Sequence, residues 1–172
     1  MSRPQPNEYD PYYEQYVSLV PEGRIVPVLE TQPGELEAMF ADVPEERGTY
    51  AYADGKWTIK ELLGHLIDGE RMFAYRVLRI SRGDKTPIEG FEQDGYIENA
   101  YSNERSFSDL LREFRLIREA NVMLFDHLKP EAWAWTGTAN ELEISVRALV
   151  WIMAGHIRHH VAILNERYLA SA

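Results

Sequence analysis

The stretch AGHIRHHVAIL, Ala154 to Leu164, places three histidines within five residues of an otherwise apolar run. Its flanks carry the same pattern, so a helix is predicted from about Ile144 to Tyr168, with no proline to interrupt it. On a 100° wheel Val146, Leu149, Val150, Met153, Ile157 and Leu164 share one stripe. His160 falls inside that stripe and His156 on its flank, whereas His159 lies roughly 130° from its centre. Two imidazoles one turn apart therefore face the interior, the (i, i+4) spacing that brings helical side chains within reach of each other. A buried pair of this kind is satisfied either by backbone carbonyls, carboxylates and each other, or by a metal ion.

Working outward, three more helical patterns precede this one. The first spans about Arg24 to Phe40, with apolar Val28, Leu29, Leu36 and Met39 and a weakening Gly34. The second opens on Thr58 with Glu61 three residues later, a capping box, and continues through Ile59, Leu62, Leu66, Phe73, Val77 and Ile80 to about Ser81. The third starts at Ser106 or Ser108, carries Phe107, Leu110, Leu111, Phe114, Ile117, Val122 and Phe125, and ends before Pro130. Between the second and third lies a connection from Arg82 to Arg105, far longer than bundle loops usually are, whose Phe91, Tyr96 and Tyr101 suggest that it is packed down. KPEAWAWTGTANELE reads as a further connection, and no alternating strand pattern of useful length is visible. The expected architecture is all-α, a four-helix bundle with a long crossover connection between helices two and three, in a single domain spanning residues 1–172. Residues 1–23, rich in Tyr and Pro, are expected to form an ordered clasp over that domain or onto a partner subunit.

The composition narrows the function. A formal net charge of −10 argues against a nucleic-acid partner, whose affinity would come from Lys and Arg releasing counterions. Arg71, Arg76, Arg79, Arg82 and Lys85 recur at helical spacing and read as a solvated, salt-bridged face. No run approaches the length of a membrane span, and the start MSRPQPNEYD has no apolar signal core, so a cytoplasmic protein with no membrane association is expected. Without cysteine, any metal must be held by nitrogen or oxygen.

A third ligand candidate is His65, at the edge of the stripe of helix two, with Gly64 and Gly69 leaving open space beside it. His127, at the end of helix three, suits a surface or capping role. Glu70 falls inside the apolar stripe and must be paired, the expected partner being an arginine such as Arg147 or Arg115. Glu70 and Asp68 are the candidates for a catalytic carboxylate. Asp68 and Glu61 lie one turn from His65, within reach of orienting it, and Tyr101 is a candidate for lining a pocket.

GKWTIKELLGHLIDGERMFAYRVLRISRGD and GHIRHHVAIL together resemble the DinB-like, or DinB/YfiT, superfamily of bacterial helical proteins. The resemblance covers nearly the whole chain, through Trp57, Thr58, Glu61 and His65 at the start of helix two and His156 and His160 in helix four. It implies a bundle with a non-sequential helix order, often a homodimer, whose three histidines bind a divalent metal such as zinc or nickel. Some members look like thiol S-transferases that use a low-molecular-weight thiol, bacillithiol or mycothiol, and others like hydrolases or isomerases. The expected function is a metal-dependent enzyme in which His65, His156 and His160 hold the ion that activates a thiol or water toward a small-molecule substrate. The alternative is a stress-related metal-binding bundle acting as a sensor or partner-binding module.

Overall fold

The computed structural model describes residues 2–170. Six α-helices and one hairpin occur among them: α1 (Glu14–Val17), α2 (Ile25–Phe40), α3 (Ile59–Ser81), α4 (Gln93–Ala100), α5 (Phe107–Asp126), β1 (Thr136–Ala139), β2 (Leu142–Ser145) and α6 (Val146–Ile163). The last helix runs on into a π-helical turn, Leu164–Leu169. The bundle consists of α2, α3, α5 and α6. Each of α2 and α3 packs on both α5 and α6, so the two helices that are consecutive in the chain sit diagonally across the bundle.

The predicted caps are present. Thr58 Oγ1 accepts from the Glu61 amide at 3.1 Å while the Glu61 carboxylate accepts from the Thr58 amide at 2.8 Å, fixing where α3 begins. Ser106 and Ser145 cap α5 and α6 in the simpler way, through the amides of Asp109 and Ala148.

The core is divided by a polar layer. One apolar cluster gathers Ile25, Leu29, Val77, Phe125, Val146 and residues 148–154, and the other gathers Leu36, Leu62, Leu66, Leu110, Phe114, Ile157 and Leu164. Between them each bundle helix contributes buried polar groups: Gln32 from α2, Glu70 from α3, Arg118 and Asn121 from α5, and His156 from α6. Arg118 donates to both carboxylate oxygens of Glu70 at 2.9 and 2.5 Å, to Gln32 Oε1 at 2.5 Å and to the Leu29 carbonyl at 3.1 Å. The last bond answers a defect in α2, because Pro33 has no N–H to give the carbonyl one turn back. Gln32 in turn donates to the carbonyl of Ala154 in α6 at 2.8 Å.

The long connection after α3 contains α4, which the sequence pattern did not disclose, and bridges to the hairpin through Ile88 and Ala139. The hairpin itself corrects the expectation of no strands. Its register pairs Ala139 with Leu142, and Asn140 and Glu141 both take positive φ, the requirement of a two-residue turn matching strand twist. Its strands are too short for an alternation to show.

The Tyr/Pro-rich segment lies ordered over the bundle. Tyr9, Val17 and Val20 join the core, and the Glu8 carboxylate accepts from Ser145 Oγ at 2.7 Å and from Arg147. It approaches α6 tightly at Gly155, where a Cβ would lie 2.0 Å from the Tyr16 carbonyl oxygen. Glycine at 155 is what lets this strap lie against the helix.

Candidate metal centre

α3 and α6 bring His65, His156 and His160 to one point, although His65 is 91 residues from His156. The Nε2 of His156 lies 3.0 Å from that of His65 and 3.1 Å from that of His160, and the three ligand atoms all fall within 4.8 Å of one another. Lone pairs do not face each other at such distances without a proton or a cation between them. Nitrogens held at about 2.0–2.1 Å from one tetrahedral ion are themselves about 3.3 Å apart, so the His156–His65 and His156–His160 spacings of 3.0 and 3.1 Å lie near those of a shared divalent ion.

All three rings are buried, and the environment keeps them neutral. Burial lowers the pKa of His65 to about 4, against the opposing field of Asp94. Burial and the neighbouring imidazoles lower His160 to about 3. His156 is pushed well below its ordinary value, first by burial, then by the other histidines, with Arg118 adding to the effect. Neutral imidazoles are the metal-binding form. The Nδ1 of His160 is buried with no hydrogen-bond partner.

Two cavities reach the rings. One of about 320 Å³ touches His160 between Trp57, Asp94 and Tyr168, and another of about 150 Å³ touches His65 and His156 beside Tyr16 and Arg76. Aromatic rings fix the imidazoles in place: Trp57 sits 4.8 Å from His65 between ring centres, and Tyr16 meets His156 edge-on at 5.6 Å. Trp57 is held by the π-helical turn of α6, since Tyr168 donates its hydroxyl to the Trp57 carbonyl at 2.7 Å.

The other predicted residues divide. His159 is not among the converging nitrogens; its ring packs edge-on between His160 at 5.0 Å and Tyr16 at 5.3 Å, and His127 Nδ1 lies 2.7 Å from the Met123 carbonyl at the end of α5. Glu70 is paired as burial demands, but with Arg118. Arg147 is taken by Glu8 and Arg115 by Glu37, because helix heights set which arginine shares the level of Glu70. Asp68 pairs with Arg71 at 3.7 Å and lines a surface depression beside Tyr96, away from both cavities at the histidines. Glu61 is committed to its cap and to Asn103 rather than to His65. Tyr101 is 64% exposed and lines neither cavity at the histidines. The space beside Gly64 is filled by Ser102, whose Oγ would be 2.2 Å from a Cβ, while Gly69 faces His156. Arg71 and Arg79 do form surface ion pairs, with Glu113 and Asp84, but Arg76 is buried and not part of that face. Asp94, Trp57, Tyr16 and Arg76 are site residues that the sequence reading does not assign there; Trp57 has a signal as the start of the motif that ends at His65, and Arg76 has one in its position eleven residues beyond His65 on the same side of α3.

A sequence model of the DinB superfamily matches residues 29–164. Among solved structures the chain is similar to YfiT from Bacillus subtilis, described as a probable metal-dependent hydrolase with an unusual four-helix bundle topology, at 18% identity over 85% of each chain with a TM-score of 0.78. It is also similar to a mycothiol-dependent maleylpyruvate isomerase, at 13% identity over 80% of this chain and 58% of that one with a TM-score of 0.66. No curated protein matches the sequence.

Proposed function

The chain belongs to the DinB superfamily, and from that premise we propose that it is an enzyme dependent on a divalent metal, zinc or nickel, held by His65, His156 and His160. The observation that carries this reading is the meeting of three buried, neutral imidazole nitrogens from two helices beside two cavities. When bound, the cation supplies Lewis acidity that makes a water or a thiol nucleophilic near neutral pH. Three protein ligands leave a position for that reactant, as in catalytic rather than closed structural sites. The two cavities favour this reading over a sensor with a sealed centre.

The chain's own residues do the rest. Trp57 and Tyr16 wall the rings so that they are reached through the two cavities, and Asp94 places a negative charge where a cation would be held. Glu70 serves through Arg118 and Gln32 to fix the height of α6 at Ala154, two residues before His156, and not as a proton carrier. The larger cavity, touching His160 and lined by Lys56, is the place for a low-molecular-weight thiol, and the smaller one for the substrate. Exposed Leu116 and Met123, two turns apart on α5, give a face for a second copy of the chain, and the proposal extends to a homodimer. Elemental analysis of untagged protein tests the central point: about one divalent ion per chain in the wild type, lost in His160→Ala. Unchanged metal content in that variant overturns the assignment.

A further inference from the structure

The smaller cavity contains a charge that nothing answers. Arg76 is 6% exposed and lines the cavity that opens on His65 and His156. Among the described residues no carboxylate forms an ion pair with it, and its Nε is buried without a hydrogen-bond partner. Burial pushes its guanidinium below the usual arginine range, with Tyr13 the one titratable neighbour opposing that effect. The other deeply buried arginine, Arg118, is met on every side by acceptors. An uncompensated buried cation is costly, so its persistence calls for a partner that arrives from outside.

Its placement says what that partner is. Eleven residues at 100° each return to within 20° of the same direction, so His65, Gly69, Phe73 and Arg76 form one stripe along α3. Arg76 lies about 16 Å from His65 along the axis, and helical side chains lean toward the N-terminus, which carries the guanidinium back toward the histidines. The floor between them is kept open by Gly69, where a Cβ would lie 3.3 Å from His156 Cε1. Phe73 and Phe91 provide apolar walls, Gln93 and Asn140 provide amides, and no Asp or Glu lines the cavity. A guanidinium is a planar fork that matches a carboxylate better than a point cation does.

We propose that Arg76 anchors the carboxylate of a small organic acid whose other end reaches the histidines. This names the substrate class of the site proposed above and rests on that reading for the chemistry, though not for the binding.

The test is a ligand-observed NMR titration of butyrate, its neutral isostere butyramide and inorganic phosphate against wild type, Arg76→Met and Arg76→Lys, metal-loaded and metal-free. Wild type is expected to bind butyrate at least tenfold more tightly than butyramide, with Arg76→Met abolishing the preference and Arg76→Lys, which keeps the charge without the fork, retaining part of it. Arg76→Met is also expected to melt no lower than wild type, since it removes an unpaired buried charge; a purely structural arginine gives the opposite. Equal butyrate affinity in wild type and Arg76→Met overturns the proposal, and so does phosphate displacing butyrate at equal concentration. His160→Ala separates the two readings. If its metal content is unchanged while butyrate still depends on Arg76, the metal assignment falls alone; if metal is lost as expected and butyrate ignores Arg76, the anion subsite falls alone.

Discussion

Replacing Arg118 by methionine keeps the length and apolar stem of the side chain but deletes four hydrogen bonds at once. The Glu70 carboxylate, 1% exposed, is left with the Asn121 amide at 3.1 Å as its remaining donor. The Leu29 carbonyl, already without a helical partner because of Pro33, is orphaned as well. Removing one member of a buried, hydrogen-bonded ion pair costs about 3–5 kcal/mol. Against the roughly 5–15 kcal/mol of a typical domain this is a large fraction, and for a chain of this size it lowers Tm by about 10 °C. Urea unfolding followed by circular dichroism gives the difference directly, and the Glu70→Leu/Arg118→Met double variant completes a cycle. The double variant is expected to cost at least about 2 kcal/mol less than the sum of the singles, because neither charge is then stranded. A loss under about 1 kcal/mol for Arg118→Met, or strict additivity in the double variant, refutes the account of the polar layer.

Acidification should unfold the metal-free protein through its histidines. Their folded pKa values lie below the unfolded value near 6.5, so the unfolded chain takes up more protons, and stability is complete above pH 6.5 and lost as pH falls toward 4. At pH 5 the loss is about 2 kcal/mol for each imidazole that stays neutral, and a urea midpoint that stays level between pH 7.5 and 5 contradicts this. Gly155→Ala drives a methyl into the Tyr16 carbonyl and should lift the strap, exposing residues 8–20 to limited proteolysis while far-ultraviolet ellipticity is retained; unchanged cleavage kinetics would show that the contact is dispensable. Asp94→Asn removes the negative charge acting on His65 and should weaken the proposed site's affinity for a divalent ion, probed with zinc, by about tenfold, or 1.4 kcal/mol, in competition with a chromophoric chelator. An affinity equal to wild type would mean that its field does not reach the ion site.

The helices were legible because each announces itself locally: Thr58 and Glu61 mark a start, and the inward stripe of α6 separates His156 and His160 from His159. What escaped the sequence depends on contacts between elements. The hairpin has two strands of four residues and a turn made by Asn140 and Glu141, and neither α4 nor the hairpin carries enough periodicity to be seen without its neighbours. The burial of Glu70 in the stripe showed that a partner was needed, but choosing Arg118 over Arg115 or Arg147 requires the relative heights of α3 and α5. Spacing alone groups Arg76 with Arg71, Arg79 and Arg82, although its alignment with His65 and its burial set it apart. The convergence of His65 on the other two was suggested by family resemblance more than by the wheel, which put it only at the edge of the stripe.

The strap also bears on how the pocket comes into being. Glu8 meets Arg147 across 139 residues, an interval that no early, local contact can shorten, so loop-closure entropy defers this union until the bundle helices are already paired. The imidazoles can thus assemble before Tyr16 arrives, leaving an interval in which the proposed divalent ion would reach them from open solvent. Once Tyr16 is seated, local peeling of the N-terminal segment would widen the cavity beside Tyr16 and Arg76, whereas the cavity at His160 reaches its ring without it.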